Sequence, residues 1–262
     1  MSYALESKDE TERLEKQSEA ESYDFKEELS EVGNLEGKII CDAGSGSGIV
    51  SRYLAGKFPT SKIYACDASD IRIHQSKTKS SQFKNISFEV QNITQLSFEN
   101  SMIDFLFSRF VLEHMNEKTQ AKAVAEFHRC LKPGGKICLI DVDGAYYNIF
   151  PETKILRSGL QKFRKEKNAD LLVGRKMPNL LVQAGFQDVH WRVQTLSFAG
   201  ESLAKERELI KERFDTGAHY FSKILGSPKS FDTFKKEYLD VLTRPGATLF
   251  YTKWIASATK HK

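Results

Sequence analysis

A predicted strand that ends in a glycine-rich loop constrains this chain more than any other feature. Residues 38–48 read KIICDAGSGSG, and the apolar run Ile39-Ile40-Cys41 has the length of a buried parallel strand. The run stops at Asp42, and glycines follow at alternate positions. Apolar residues then recur at helical spacing up to Gly56, so a helix begins at the loop. Glycines at such a place let a ligand contact the backbone.

The spacing of the glycines separates two kinds of ligand-binding loop. A dinucleotide-binding turn needs a third glycine three positions after the second, and Ile49 stands there. The pattern Asp-x-Gly-x-Gly-x-Gly instead resembles motif I of the class I S-adenosylmethionine-dependent methyltransferases. The resemblance implies S-adenosyl-L-methionine as cofactor, with Asp42 facing its ammonium group and Gly44, Ser45 and Gly46 beneath it. The alternative is a glycine-rich turn without a ligand.

Two later strand ends carry further candidates for cofactor binding. Residues 63–66 form a second predicted strand, and Asp67 follows roughly twenty residues after the loop, where a doubly wound sheet places an acid on ribose hydroxyls. A carboxylate suits a diol because it only accepts hydrogen bonds. The resemblance adds the neighbouring Ala68, and it places Asn92 and Ile93 against the adenine. The alternatives are a helix cap at Asp67 and a turn cap at Asn92.

A fourth predicted strand, residues 103–107, leads into Ser108 and Arg109. The resemblance implies that these two residues lie beneath the transferred methyl group. Arg109 has two interpretations, since it could attract an anionic substrate or pair with a neighbouring acid. His114 is the candidate general base, because an imidazole exchanges protons near neutral pH, and a structural role is its alternative.

A pair of tyrosines follows the fifth predicted strand, residues 136–141. Tyr146 and Tyr147 are candidates to hydrogen-bond a substrate or stack on it, although an aromatic pair is also ordinary core. Asp141 and Asp143 suggest a magnesium site of the kind found in catechol-type O-methyltransferases. The acid that such a site needs after the fourth strand is absent, so no metal is predicted.

The first 37 residues predict an acidic helical arm or lid. The segments YALES and ERLEKQ within it look like the leading segment of small-molecule methyltransferases, which closes over the cofactor. The resemblance makes Tyr3 and Gln17 candidates to contact the cofactor. The alternative is a solvated acidic arm.

A basic block occupies residues 153–176, with apolar residues at helical spacing beneath the charges. The pattern predicts an amphipathic helix with a solvated basic face. The alternative is a surface that follows the phosphates of RNA. Base-stacking aromatic residues are not interleaved with the block, so a nucleic-acid partner is not expected.

The phrase LKPGGKICLID is a further feature of the family. The segments Arg175-Lys176-Met177-Pro178 and Pro245-Gly246-Ala247 look like the small-molecule methyltransferases related to ubiquinone and menaquinone biosynthesis enzymes. The resemblance implies an α/β fold, a Rossmann-like three-layer sandwich with a seven-stranded, mostly parallel sheet, an antiparallel last strand and helical lid insertions. The predicted segments are an N-terminal arm (1–37), the cofactor-binding core (38–142), an insertion (143–176), a core continuation (177–198), a helical lid insertion (199–246) and the last core strand (247–262).

The composition is that of an ordinary globular protein, with 40% hydrophobic and 28% charged residues. No run is long and apolar enough to span a bilayer, the acidic start lacks the features of a secretion signal, and the four cysteines show no paired spacing. A cytoplasmic location is therefore expected. The predicted function is methyl transfer by direct displacement to a small organic acceptor. An RNA methyltransferase and a non-catalytic cofactor-binding module are the alternatives, and no pattern predicts an oligomeric state.

Overall fold

A seven-stranded sheet runs through the middle of the protein in the computed structural model, which describes Glu15 and residues 24–262. The strands are β1 (Ile39–Ala43), β2 (Lys62–Asp67), β3 (Ile86–Val90), β4 (Ile103–Arg109), β5 (Leu131–Phe150), β6 (Gln187–Phe198) and β7 (Thr248–Thr259). Their order across the sheet is β3-β2-β1-β4-β5-β7-β6.

The sheet is parallel from β3 to β5 and antiparallel around β7, which lies between β5 and β6. Asp42 of β1 pairs with Ala65 of β2 on one side and with Phe107 of β4 on the other. The carboxyl ends of these strands therefore meet at one edge of the sheet, which we call the loop edge. The predicted fold class, including the antiparallel last strand, is confirmed.

Helices cover both faces of the sheet. They are α1 (Phe25–Glu28), α2 (Ile49–Lys57), α3 (Asp70–Lys79), α4 (Glu117–Cys130), α5 (Lys154–Phe163), α6 (Met177–Gln183), α7 (Gly200–Thr216), α8 (Ala218–Leu225) and α9 (Pro228–Val241). Side-chain caps begin several of them, because the first amides of a helix lack partners. The Ser69 hydroxyl accepts from the Arg72 amide at α3, and the Asn116 carboxamide accepts from the Thr119 amide at α4.

Three apolar clusters form the core. On one face of the sheet, α4 and α6 pack against β1, β4 and β5, and on the other face α1 and α2 pack against the same strands. The third cluster joins α5 and α7–α9 to the ends of β5 to β7, and we call these four helices the lid. Rings dominate its interior, and we call them the lid cluster: Tyr146, Phe163, Phe214, Phe221, Phe231, Phe234 and Tyr238. Burying one such side chain stabilises the fold by about 1.5–3 kcal/mol.

Two predicted elements differ in length from those observed. The fifth strand was predicted over residues 136–141, but β5 runs to Phe150 because its end pairs with the first residues of β7 after an irregularity near Gly144. The predicted boundary between core and insertion at residue 143 therefore falls inside a strand. The basic helix predicted over residues 153–176 ends at Phe163, since the Glu166 carboxylate accepts the amides of the next two residues and forms a turn.

Candidate functional site

The glycine loop at the end of β1 is tied to the end of β2 by backbone hydrogen bonds. The amides of Gly44 and Ser45 donate to the Cys66 carbonyl at 2.7 and 2.8 Å, and the Gly46 amide donates to Asp67 Oδ2 at 2.9 Å. Gly44 has a φ of 86°, and a Cβ atom there would clash with the Val111 methyl groups. Gly44 is therefore required both for its conformation and for the close approach of Val111.

Asp67 is buried at the end of β2. Its Oδ1 accepts from the Ser69 amide at 2.9 Å and from the Arg72 guanidinium at 3.0 Å. Its Oδ2 accepts from Gly46 and keeps a second acceptor position, because each carboxylate oxygen has about two. The helix cap left open by the sequence is supplied by Ser69 instead. The neighbouring Ala68 is exposed.

Asp42 lies fully buried beneath the loop, and its Oδ2 accepts from the Ser51 hydroxyl of α2 at 2.5 Å. Burial raises the pKa of Asp42 from 3.8 to about 6, and the nearby Asp67 carboxylate adds to the increase. The Ser51 hydrogen bond and the Arg109 charge act in the opposite direction. The carboxyl of Asp42 therefore changes protonation close to neutral pH.

The hydroxyl of Ser45 gives an independent indication that the loop binds a ligand. Its Oγ atom is buried and has no hydrogen-bond partner within residues 24–262 or at Glu15. A buried hydroxyl without a partner costs free energy, so a polar ligand atom at this position would stabilise it. With Asp42 below and Asp67 beside it, the loop fits a group that carries an ammonium and hydroxyls.

The predicted adenine contacts lie at the start of the loop after β3. The Asn92 side chain is exposed, and its Oδ1 accepts from the amide and the hydroxyl of Thr94 at 3.0 and 2.9 Å. Asn92 thus forms the turn cap that the sequence left as an alternative, while Ile93 is buried. Gln91 is also buried, accepts from the Ser97 amide and shapes this loop, although its sequence context did not single it out.

The end of β4 carries the residues predicted to lie beneath the cofactor. The Ser108 hydroxyl donates to the Ala43 carbonyl at 2.8 Å and so joins β4 to the glycine loop. Arg109 donates to the carboxylate of Glu28 at 2.6 Å, which fulfils the acid-pairing interpretation. Phe110 follows with a φ of 55°, a strained value for an aromatic residue.

Glu28 and Lys253 are buried charges that the sequence analysis missed. Lys253 lies in β7 and approaches Glu28 Oε1 at 2.5 Å. A lysine inside the apolar run LFYTKWIAS is a usable signal, since a buried cation needs a partner. No local spacing connects it to Glu28, however, because the two residues are far apart in the chain.

His114 ends a short 3₁₀ turn, Leu112–His114, beside the loop edge. Its Nε2 lies 3.6 Å from Glu113 Oε1, and the imidazole is partly exposed. Asp141 is buried under this turn and accepts from the amides of Glu113 and Val142. Burial and the Glu113 carboxylate raise the pKa of Asp141 well above its usual range. Asp141 therefore holds the turn that presents His114.

The two candidate tyrosines have different surroundings. The Tyr146 ring lies inside the lid cluster, where it stacks on Phe214 with centroids 5.4 Å apart. Tyr146 therefore has the packing role that the sequence left open as an alternative. Tyr147 is buried beneath the Arg164 guanidinium, which lies 4.8 Å from its ring centroid. Burial raises the pKa of Tyr147 to about 12, and the Asp170 carboxylate contributes, so its phenol stays protonated at neutral pH.

Several cations of the basic block are engaged by this chain's own groups. Arg175 donates to Asp143 at 2.5 and 2.7 Å, so Asp143 is an ion-pair partner. Lys176 pairs with Asp170 at 2.8 Å, and Lys162 donates to the Leu225 carbonyl. These contacts pair part of the block with this chain's own acids and carbonyls, although Lys162 and Arg175 remain exposed.

Three further sequence expectations concern the N-terminal candidates, a metal site and a membrane span. The candidates Tyr3 and Gln17 lie outside the described residues. Within the described part of the chain, no three His, Cys, Asp or Glu side chains gather as a metal site would require. None of the helices described has the length and apolar character needed to cross a membrane.

Comparison with known proteins identifies relatives of this fold. Residues 41–139 match the family model described as "Methyltransferase domain". The chain is 27% identical over 210 residues to phosphoethanolamine N-methyltransferase 1 of Arabidopsis thaliana, which covers 78% of this chain and 40% of the plant protein. It is 30% identical over 119 residues to the ubiquinone/menaquinone biosynthesis C-methyltransferase UbiE of Rickettsia prowazekii (strain Madrid E), covering 42% and 47% of the two chains.

A solved structure shows the same fold over most of the chain. Phosphoethanolamine N-methyltransferase 2 of Haemonchus contortus, in complex with phosphomonomethylethanolamine and S-adenosylhomocysteine, superposes with a TM-score of 0.58. The match covers 92% of this chain and 53% of the nematode chain at 19% identity. This chain therefore spans less than half of the length of the two curated relatives and about half of the nematode chain.

Proposed function

Because the chain carries a class I S-adenosylmethionine-dependent methyltransferase domain, we propose that it transfers a methyl group from S-adenosyl-L-methionine to a small organic acceptor. One observation carries the proposal. The glycine loop holds a buried hydroxyl without a partner at Ser45, and the same loop region carries the carboxyls of Asp42 and Asp67, which accept from Ser51 and from the Gly46 amide. Such a loop suits a ligand that has both an ammonium group and a sugar diol.

Each polar group of the loop edge has a proposed task in holding the cofactor. The ionised Asp42 carboxylate attracts an ammonium group, and the remaining acceptor position of Asp67 Oδ2 takes a ribose hydroxyl. The Ser45 hydroxyl gains its missing partner. The bound cofactor supplies an electrophilic methyl group on a sulfonium, so the protein's main contribution is to align the acceptor and to exclude water.

The acceptor is proposed to lie between the loop edge and the lid. Phe110 packs against both the lid cluster and the core beneath α2, so it lies at the junction of the two regions. The relatives' names include an amine and a quinone ring as acceptors, and both are small molecules. His114 and Tyr147 remain the candidates to orient the acceptor, and His114 is also the candidate to take up its proton, since the imidazole is partly exposed.

The names of the relatives support a small molecule over RNA as the acceptor. A cofactor-binding module without catalysis is the remaining alternative, and it would take up the cofactor without ever forming S-adenosylhomocysteine. The four cysteines are all buried free thiols, which supports the cytoplasmic location expected from the sequence.

Calorimetry with S-adenosyl-L-methionine tests the cofactor assignment. We expect the native protein to bind, Asp67→Asn to bind at least tenfold more weakly, and Asp70→Asn to bind within twofold of native. Asp70 is a suitable control because it is an exposed acid in the first turn of α3. A native protein that gives no heat of binding and carries no ligand through purification contradicts the proposal.

Product analysis then separates catalysis from binding alone. The protein is incubated with labelled S-adenosyl-L-methionine and a panel of amine, phenol and quinol acceptors, and S-adenosylhomocysteine is measured by mass spectrometry. His114→Gln is expected to lower the turnover of an acceptor by about a hundredfold or more if His114 is the base, with little change in cofactor affinity. Binding without product from any acceptor would favour the non-catalytic module.

A further inference from the structure

Three charged side chains from distant parts of the chain meet beside the loop edge. Glu28 comes from α1, Arg109 from the end of β4 and Lys253 from β7. The Glu28 carboxylate accepts from Arg109 Nε at 2.6 Å and from Arg109 Nη2 at 3.2 Å, and Lys253 Nζ lies 2.5 Å from its Oε1. The side chains of Glu28 and Lys253 are 0% and 1% exposed. We call these three residues the ion network.

Charges buried this deeply need an explanation. Removing ions from water costs several kcal/mol for each ion, and apolar residues of similar volume are often as stable. Burial lowers the pKa of Lys253, and the nearby Glu28 carboxylate opposes that shift. Such a network is most useful where it selects one arrangement of the segments that it joins.

The network is continuous with the residue at the junction of core and lid. The Arg109 guanidinium lies 4.3 Å from the centroid of the Phe110 ring, in cation–π geometry. Phe110 has the strained φ of 55° and packs against two of the three apolar clusters. Strained residues persist only where their surroundings hold them, and they concentrate at functional sites. Arg109 also lowers the pKa of Asp42, so its charge reaches the glycine loop.

We propose that Glu28 is a positioning residue that, together with Lys253, holds Arg109 flat over Phe110 and so couples the seating of residues 24–32 to the shape of the methyl-transfer cleft. The inference rests on the proposed function. When residues 24–32 are seated, Arg109 is oriented and the Phe110 ring is fixed as part of the wall of the cleft. When residues 24–32 are displaced, the Arg109 guanidinium loses its contact with the Glu28 carboxylate and no longer holds the Phe110 ring.

Hydrogen–deuterium exchange on the ligand-free protein tests the coupling without any acceptor. Glu28→Gln keeps the shape of the side chain and removes its charge, and Glu27→Gln is the matched control on the same helical turn, where the glutamate is exposed. We expect Glu28→Gln to speed exchange at least tenfold both in residues 24–32 and in residues 108–115, and Glu27→Gln to change neither. Faster exchange confined to residues 24–32 would overturn the proposal.

Arg109→Lys tests the second half of the connection and covers the case in which Glu28→Gln does not fold. The lysine keeps the positive charge but cannot lie flat on a ring or form a fork to the carboxylate. We expect residues 108–115 to exchange faster while residues 24–32 stay close to native, because Lys253 still holds Glu28. Unchanged exchange in residues 108–115 would show that the guanidinium does not hold Phe110.

Cofactor affinity separates a positioning role from a merely structural one. Calorimetry with S-adenosyl-L-methionine is compared for Glu28→Gln and for Glu206→Gln. The second variant removes another buried carboxylate, which pairs with Arg213 of the lid and accepts from the Tyr251 hydroxyl of β7. We expect about tenfold weaker binding for Glu28→Gln and binding within twofold of native for Glu206→Gln, although both melt at lower temperature. Equal losses of affinity in the two variants would mean that Glu28 only stabilises the fold. If the native protein does not bind the cofactor, the proposed function fails, whereas the exchange result still judges the coupling.

Discussion

The loop edge and the lid are held together by different kinds of contact. At the loop edge, the carboxylates of Asp67 and Asp42 accept hydrogen bonds from backbone amides, a guanidinium and a hydroxyl at 2.5 to 3.3 Å. In the lid, the interior consists of rings with centroids 5 to 6.5 Å apart, and the Tyr238 hydroxyl donates to a carbonyl within it. The loop edge is therefore built to recognise polar groups, while the lid is built to exclude water.

The largest expected effect comes from a substitution that destabilises the lid and leaves the loop edge intact. Phe214 is fully buried at the centre of the lid cluster, so Phe214→Ala removes its contacts and leaves a cavity. We expect the free energy of unfolding to fall by about 3–5 kcal/mol in chemical denaturation. Phe150→Ala is the control, since this ring is 64% exposed, and a change of less than about 0.5 kcal/mol is expected. Equal losses would contradict the assignment of Phe214 to the lid core.

A second variant breaks the loop edge while leaving the lid intact. Gly44→Ala introduces a Cβ atom against Val111 at a φ of 86°. Gly226→Ala is the matched control, because it has a φ of 100° with open space around the added atom. Both lose about 1–2 kcal/mol from backbone strain. Gly44→Ala is expected to lose more, and to bind S-adenosyl-L-methionine at least tenfold more weakly, which calorimetry measures. Native affinity in this variant would show that the ligand does not use the loop.

The pH dependence of cofactor affinity tests the loop edge alone, because Asp42 lies there. Since the pKa of Asp42 is about 6, cofactor affinity that depends on its charge is expected to fall about tenfold per pH unit below that value. The stability of the ligand-free protein changes in the opposite direction. Between the ordinary value of 3.8 and about 6, the folded state binds more protons than the unfolded state, so this group's contribution to stability is lost as pH rises.

Asp42→Asn is the control for that pH profile. The carboxamide cannot ionise, so the variant is expected to bind weakly at every pH and to lose the inflection near pH 6. Calorimetry in buffers of different ionisation enthalpy also counts the protons released on binding. If the cofactor affinity of the native protein shows no inflection between pH 5 and 7, the charge of Asp42 does not contribute to binding.

The smallest expected effect concerns an ion pair on the solvent-exposed surface of the lid. Arg157 pairs with Glu152 at 2.7 Å, but its side chain is 62% exposed. Exposed pairs contribute about 0–1 kcal/mol because water and salt screen them. Arg157→Ala is therefore expected to change the free energy of unfolding by less than about 0.5 kcal/mol at 150 mM salt. A larger loss in chemical denaturation would mean that this pair belongs to the lid's supporting contacts.

The residues of the loop edge could be predicted from the sequence, whereas features that depend on distant segments could not. Asp42, the glycines and Asp67 lie at strand ends of a repeating βα pattern, and their meeting at one edge follows from the parallel order of the strands. The length of β5 was underestimated because its last residues are strand only through pairing with β7, which lies about a hundred residues further along the chain. No local pattern predicted that Asp143, for which no metal role was expected, would pair with Arg175.

What the sequence determined by itself is local: the strand that ends in a glycine loop, the caps that begin the helices and the residue types at each strand end. Backbone sterics and hydrogen bonds between close neighbours decide these features, so they can be predicted from short windows. The tertiary structure alone decided that Glu28 meets Arg109 and Lys253, and that Tyr146 packs inside the lid cluster while the Tyr147 ring lies beneath Arg164. A buried charge or ring takes its partner from whichever distant segment the fold brings within reach, and packing selects that segment, not spacing.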